Sequence, residues 1–517
     1  MNTCELLEIS SSIVPDRTAV IFENQRFSYN EITQRSNLLA NALSEIGIQK
    51  GDRIALIDVN SHQHIETYFA STQLDAIFVP INYRLKESEL LKILETANPK
   101  ILLFGSRYAK LIHSCIDKVQ SIRHYVSLGV TSDHFLDYET LIANSNSKTF
   151  SPTHEHSDVT MIMFTSGTTG NPKGVMLSHD SFTSYTLNNV SPADPDVNER
   201  NLLTVPMYHI AGVQAMIAAI YAGRTLIIQK QFEPNGWLKL VQDELVDRAM
   251  MVPTMLKTII EHPNFGNYDL SSLEVITYGA APMPTNVILE AIEKFPHVKF
   301  INAFGQTESG ATITALMPTD HIINGTESEK NLKIRRLSSI GKPLDDIEIR
   351  IVDEDGNEVN SGTIGEIIAQ GSRIMKGYWN QDKETSSTIK NNWLHTGDLG
   401  YIDNDGYIFL VGRSKDVIKR GGELISPAEI EDLLLDHASV LDCAVIGVPD
   451  EQWGEKILAI IVTDDSNTLS EEIIIEFCRD NLASYKKPES VIFIEKLPRN
   501  PLGKINKQYL RESYGNR

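Results

Sequence analysis

The sequence predicts an α/β protein in two lobes: a large N-terminal lobe of α/β subdomains ending in a β-rich subdomain, then a small α+β C-terminal lobe. Short apolar runs alternate with amphipathic stretches through the first half, the pattern of helices packed on largely parallel sheets. Past residue 340 the texture changes to short β segments separated by turns at Asp353-Glu354-Asp355-Gly356 and Asp403-Asn404-Asp405-Gly406. From about Lys415 a helix, two strands, a helix and a strand follow within about 100 residues, enough to fold as one unit. At 517 residues the chain exceeds a single core, so roughly three or four folding units are expected.

The elements follow in order. Ser28-Tyr29-Asn30-Glu31 reads as a capping box, and Ile32, Leu39, Leu43 and Ile46 then share one helical face until Gly47 and Gly51 close it. Apolar strands are expected at 53–59, 76–80, 100–104 and 159–164. Gln231-Phe232-Glu233-Pro234 leads into another helix and strand, and 273–277 is a further short strand. In the last lobe Ser426 is the expected N-cap of a helix with Pro427 at its first position. Strands at 442–448 and 456–462, a helix from about Ser470 and a strand at 491–494 complete it. The boundary falls at Arg413–Lys415, giving domains 1–413 and 414–517.

Composition narrows the function. With 41% hydrophobic and 22% charged residues the chain reads as an ordinary globular protein, and no apolar run approaches the roughly 20 residues that span a bilayer. Met1-Asn2-Thr3-Cys4-Glu5 lacks the basic and apolar blocks of a signal peptide. Cys4, Cys115, Cys443 and Cys478 are far apart, so neither a disulfide framework nor a CxxC metal site is indicated, and a reducing cytoplasm is expected. A net charge of -21 excludes a broad cationic surface for nucleic acid. It leaves ATP open, because a few placed cations and helix N-termini hold a polyphosphate locally.

One loop points to such a polyphosphate. Thr165-Ser166-Gly167-Thr168-Thr169-Gly170-Asn171-Pro172-Lys173-Gly174 follows directly on an apolar strand. Glycines let backbone N–H groups line a concave loop, hydroxyls add donors and Lys173 supplies a mobile cation. The P-loop pattern needs Gly-x-x-x-x-Gly-Lys-Ser/Thr, whereas here Pro172 stands five after Gly167 and Gly174 follows the lysine. This is a phosphate loop of another kind.

Further motifs stand along the chain: Tyr278-Gly279-Ala280-Ala281-Pro282, Asn302-Ala303-Phe304-Gly305-Gln306-Thr307-Glu308 and Trp393-Leu394-His395-Thr396-Gly397-Asp398. Leu410-Val411-Gly412-Arg413-Ser414-Lys415-Asp416, Lys419-Arg420-Gly421-Gly422-Glu423 and Leu497-Pro498-Arg499-Asn500-Pro501-Leu502-Gly503-Lys504 follow. Singly, each is compatible with a turn or a solvated charge. In this order, from about residue 15 to 513, they closely resemble the adenylate-forming superfamily of acyl-CoA synthetases, peptide-synthetase adenylation domains and beetle luciferase.

The resemblance implies an acid–thiol ligase that converts an acid and ATP to acyl-AMP and pyrophosphate, after which CoA displaces AMP. It implies that the 165–174 loop, with Ser166, Gly167, Thr168, Thr169, Gly170 and Lys173, grips the β- and γ-phosphates, while Thr165 and Glu308 support Mg²⁺, a hard cation that takes oxygen ligands. Gly279, Ala280, Ala281 and Phe304 would enclose the adenine within a nucleotide site that also includes Asn302, Ala303, Gly305, Gln306 and Thr307. Asp398 would bind both ribose hydroxyls, assisted by Arg413. Lys504 matches the catalytic lysine that bridges the attacking carboxylate and the α-phosphate, where charge develops. Lys415 matches the hinge about which a mobile C-terminal lobe turns for the thioester step, presenting Lys419, Gly421 and Gly422 to CoA.

The choice of acid rests on fewer residues. Pro206 to Val213 matches a border of the acyl pocket, with His209 near the carboxylate channel, and Gly305, Gly310, Ala311 and Thr312 would line the other wall. These positions carry no added Arg or Lys, so an apolar tail fits better than a second carboxylate, whose burial would need a partner. A medium- or long-chain fatty acid is expected, and lipid metabolism with it. The alternatives are an aryl or alicyclic acid, an acyl-AMP ligase that loads a carrier protein, and an inactive nucleotide-binding regulatory protein. A homodimer is open.

Overall fold

The computed structural model describes residues 1–116, 118–129, 134–146, 148, 150, 153, 155–165, 172–463, 469–499 and 505–515. It is a mixed α/β protein with two compact units. The first comprises Met1–Glu348 and Ala369–Leu394, the second Ile349–Ile368 and His395–Arg517.

Two large sheets organise the first unit. One runs Lys342–Pro343, Ala311–Leu316, Lys299–Gln306, Val275–Gly279, Arg248–Met251, Arg200–Leu203, Thr225–Ile228, Thr18–Phe22, Gln25–Ser28, parallel inside and antiparallel at both edges. The other runs Gly377–Tyr378, Lys173–Ser178, Val159–Thr165, Ile77–Ile81, Arg53–Ile57, Ile101–Phe104, His124–Ser127, Leu136–Asp137, also mainly parallel. Parallel strands are buried on both faces, which is why 54–57, 77–81 and 101–104 read as unbroken apolar runs.

The helix signals hold. Ser28 Oγ accepts from Glu31 N and the Glu31 carboxylate accepts from Ser28 N, opening helix Tyr29–Glu45 with Ile32, Leu39 and Leu43 fully buried. Glu233 caps helix Pro234–Asp243, whose Trp237 fills a core with Leu256, Ile276 and Phe300 beneath the first sheet. One strand is displaced from its expected span: pairing begins at Val275↔Lys299, so the strand is Val275–Gly279. Leu273 lies in the preceding turn, where its side chain is buried in the core, and apolarity alone does not separate that from a strand.

Strand Gly365–Gln370 neighbours Trp393–Ile402, which pairs antiparallel with Ile408–Arg413 of the second unit, and a further sheet of that unit contains Ile418–Arg420, Glu423–Ile425, Val440–Asp450, Gly454–Thr463 and Ser490–Phe493. Strand Val440–Asp450 alternates: Cys443 and Val445 pack with Ile430, Leu434 and Ile474 on one side, Ala444 and Ile446 with Leu497 and Leu510 on the other. Ser426 caps helix Pro427–Leu435 with Pro427 at its first position.

Candidate functional site

The phosphate-loop residues Ser166, Gly167, Thr168, Thr169 and Gly170, and Lys504, lie outside the described residues. The ends of the loop are described. Strands Val159–Thr165 and Lys173–Ser178 form an antiparallel pair in which Thr165 faces Lys173. The Lys173 ammonium lies 4.7 Å from the centre of the Tyr378 ring, and the Tyr378 hydroxyl donates to Glu308 Oε1 at 3.0 Å. Met375 N donates to the Glu308 carbonyl at 2.9 Å, and Trp379 N donates to Gly174 O at 2.7 Å. Thus the fold brings Thr165, Lys173 and Glu308 together, and Tyr378 is the link between the last two.

Glu308 follows the strand Lys299–Gln306, at the C-terminal edge of the parallel strands, where open α/β sheets bind ligands. Although that strand has neighbours on both sides, Ile301 to Gln306 are all half-exposed, so this end of the strand is not buried on either face. Asn302 pairs with Tyr278 and Ala303 with Gly279. A Cβ on Gly279 would stand 2.0 Å from Ala303 O, and one on Gly305 1.8 Å from Ala311 O. Neither position has room for a side chain. Ala280 (φ 65°) and Ala311 (φ 93°) adopt the left-handed region without being glycine, a strained state that clusters at functional sites. Ala280 and Ala281 are exposed, Phe304 and Thr307 are half-buried, and Ala311 is buried.

Two of the elements that carry proposed acyl-pocket residues are also in contact. His209 is the N-cap residue of helix Ile210–Tyr221, its ring 4.3 Å from that of Tyr208, which meets Tyr83 edge-on at 5.3 Å. Val213 N donates to His209 O at 3.1 Å, and the Val213 side chain is buried. This helix packs on strand Ala311–Leu316, the strand that begins with Ala311 and Thr312. The loop before it is held by Asn60, whose Oδ1 accepts from Met207 N and whose amide donates to Val205 O and Gln229 O.

In the second unit Asp398 and Arg413 face each other across antiparallel strands. Arg413 Nε stands 2.9 Å from Asp398 Oδ1, with the carboxylate side chain 9% and the guanidinium side chain 44% exposed. Arg413 also donates to Thr396 O, and Thr396 Oγ1 accepts from Asp398 N while donating to Ile367 O. Gly397 turns the chain at φ 71°, with its N–H held by Glu366, whose other oxygen lies 2.7 Å from His395 Nδ1. Lys415 is exposed in the turn after this strand.

Lys419 is exposed on strand Ile418–Arg420, which pairs with Glu423–Ile425 through a two-residue loop. Gly421 (φ 58°) and Gly422 (φ 88°) fill that loop, and a tight hairpin of this hand needs positive φ at both positions. The glycine pair therefore has a local structural reason of its own.

Sequence reasoning quoted Thr396 within the 393–398 motif without giving it a role, and missed Tyr378, Glu366 and Asn60. The Gly377-Tyr378 pair, with Gly377 at φ 136°, was the one local signal among them. Glu366 and Asn60 act on residues 29 to 169 positions away.

Among the described residues no group of three or more His, Cys, Asp or Glu side chains is set to hold a metal. A carboxylate and a hydroxyl, Glu308 and Thr165, fit Mg²⁺, which binds through one or two carboxylates plus substrate phosphates and keeps several waters. No helix among the described residues is long and apolar enough to cross a membrane.

The family model described as AMP-binding enzyme matches residues 7–379, and that described as AMP-binding enzyme C-terminal domain matches 429–504. The chain is 34% identical to the long-chain-fatty-acid–CoA ligase FadD13 of Mycobacterium tuberculosis, over 95% of this chain and 93% of that protein. It is 30% identical to the indoleacetate–CoA ligase of Aromatoleum aromaticum, over 99% of this chain and 98% of that one. The crystal structure of ATP-bound MatB from Rhodopseudomonas palustris matches with a TM-score of 0.87 at 28% identity, covering 100% of this chain and 99% of that chain.

Proposed function

Because the chain belongs to the AMP-binding enzyme family and is an AMP-forming acyl-CoA synthetase, we propose that its acid is a medium- or long-chain fatty acid and that the residues above divide two half-reactions between them. In the first, Lys173 and the 165–174 loop hold the departing phosphates, Asp398 and Arg413 hold the ribose, and Lys504 neutralises charge where the carboxylate meets the α-phosphate. Glu308 and Thr165 would hold Mg²⁺, which when bound offsets polyphosphate charge. Gly279 to Ala281 and Phe304 border the adenine. In the second half-reaction Lys415 is the pivot, and Lys419, Gly421 and Gly422 receive the CoA arm. The four cysteines are all free and buried, which suits a reducing cytoplasm.

One feature supports the choice of acid: helix Ile210–Tyr221 packs on strand Ala311–Leu316, and the residues assigned to the two walls, Val213, Gly310, Ala311 and Thr312, include no cation of their own to meet a second carboxylate. The 34% identity to a ligase named for long-chain fatty acids supports the same reading. Pyrophosphate release, measured with and without CoA across fatty acids of rising length and a set of aryl acids, tests it. Each buried methylene contributes about 0.8 kcal/mol, so kcat/KM is expected to rise about fourfold per methylene until the pocket ends. A lead for aryl acids overturns the fatty-acid reading. Release without CoA consumption indicates a carrier-protein ligase, and no release with any acid an inactive nucleotide-binding protein.

A further inference from the structure

Charged pairs bracket the stretch that carries Lys504. Before it, Arg499 Nη2 stands 2.7 Å from Asp442 Oδ2. Arg499 and Ile505 form an antiparallel bridge, and Asn506 N donates to Pro498 O at 2.8 Å, so the two ends of 498–506 lie side by side. After it, Lys507 Nζ lies 2.7 Å from Glu431 Oε1, each side chain 18% exposed. That same oxygen accepts from Val445 N at 2.7 Å, tying helix Pro427–Leu435 to strand Val440–Asp450. One helical turn on, Arg511 Nη2 meets Asp416 Oδ1 at 2.9 Å. Asp416 directly follows Lys415, and its N–H donates to Arg413 O at 2.7 Å.

Lys507 and Arg511 are four apart and so project from one face of helix Lys507–Tyr514. An eight-residue helix is not stable alone, and the buried Leu510 supplies its packing. Half-exposed ion pairs contribute little to stability, but a pair at each end of one face fixes how the helix is turned about its axis.

We propose that Glu431 and Asp416 are positioning residues for adenylation: through Lys507 and Arg511 they set the orientation of the last helix, and with it the exit of the segment that carries Lys504, relative to the residue after the pivot. The proposal rests on the reading of Lys504 as the adenylation lysine and of Lys415 as the pivot. A displacement of about 1 Å in a reacting group costs up to about 10²-fold in rate, so orientation errors here matter more than the modest energy of each pair.

The test uses the full chain and separates the half-reactions: ATP–pyrophosphate exchange for adenylation, and thioester formation from supplied acyl-AMP. Glu431→Gln and Asp416→Asn are each expected to lower the adenylation kcat about 10- to 100-fold, with the KM for ATP within about twofold and thioester formation unchanged. Added to Lys504→Ala, neither is expected to lower adenylation further, because each acts through that lysine. The Asp416–Arg511 pair is the more exposed of the two, at 22% and 28%, so Asp416→Asn tests the proposal on its own should Glu431→Gln lose the fold. Arg511→Lys, which keeps the charge, is expected to retain most of the rate. Equal losses in both half-reactions, or a further loss on top of Lys504→Ala, overturn the proposal in favour of a structural role. Full adenylation in Asp416→Asn beside loss in Lys504→Ala overturns it alone. Full adenylation in Lys504→Ala overturns the reading of that lysine and the proposal with it.

Discussion

Tyr378 donates its hydroxyl to Glu308 Oε1 at 3.0 Å while its ring lies 4.7 Å from the Lys173 ammonium. One side chain thereby orients the acid proposed to hold Mg²⁺ and the lysine proposed to meet the phosphates. Tyr378→Phe keeps the ring under Lys173 and removes only the donor. A hydrogen bond to a charged group contributes about 1.5–3 kcal/mol, so adenylation is expected to fall about 10- to 100-fold. Titrating Mg²⁺ at fixed ATP checks it: the variant is expected to need more Mg²⁺ for half its maximal rate, and an unchanged Mg²⁺ curve contradicts the role given to Tyr378.

Arg413 holds a carboxylate that the fold has largely withdrawn from water. Removing the guanidinium takes away the ion pair that holds the shielded Asp398 carboxylate, which loosens the group proposed to bind the ribose. Arg413→Met is expected to raise the KM for ATP about 10-fold or more, with a smaller change in the KM for the acid. Initial rates against each substrate separate the two, and a rise confined to the acid contradicts the assignment.

Gly305 has no room for a Cβ, which would meet Ala311 O at 1.8 Å. Gly305→Ala must push apart the paired strands Lys299–Gln306 and Ala311–Leu316, at an overpacking cost of roughly 1–3 kcal/mol. Thermal unfolding is expected to show that loss together with a fall in activity. Gly266 serves as control, since a Cβ there meets nothing within 4 Å, and Gly266→Ala is expected to be neutral or slightly stabilising.

What the sequence made legible follows the range of the interactions. The caps at Ser28 and Ser426 involve residues three apart, and the apolar runs at 54–57 and 101–104 are buried on both faces, so local pattern found them. The ordered motifs located Glu308, Asp398 and Arg413, which the fold sets in paired or capped positions. The side chains that hold them were hidden because their partners are remote: Tyr378 lies 70 residues from Glu308, and Asn60 147 from Met207. A polar residue with a distant partner looks the same in sequence as one in water. Gly421-Gly422 shows the converse limit, since its hairpin explains both glycines without CoA.

Burial also sets a pH dependence. His64 is buried with Nδ1 3.1 Å from Ser61 Oγ, and burial, aided by the nearby His62, lowers its pKa from the ordinary 6.5 to about 3. A group whose folded pKa is depressed contributes stability above its unfolded pKa that is lost on acidification, here from about pH 6.5 down towards 3. The slope is about 1.4 kcal/mol per pH unit for one proton. His64→Gln is therefore expected to flatten the fall in unfolding midpoint between pH 6.5 and 5, whatever its cost at neutral pH. Parallel curves for variant and wild type contradict a neutral buried His64.

As an AMP-forming ligase, this chain activates a carboxylate by joining it to the α-phosphate and then breaks the acyl C–O bond with a thiol. A fatty acid carrying ¹⁸O in its carboxyl group, turned over with ATP and CoA, reports on both bonds. One labelled oxygen is expected in AMP and none in pyrophosphate, because the attacking oxygen stays on phosphorus when the thiol displaces AMP. Unlabelled AMP, or label in inorganic phosphate with ADP as the product, contradicts the account.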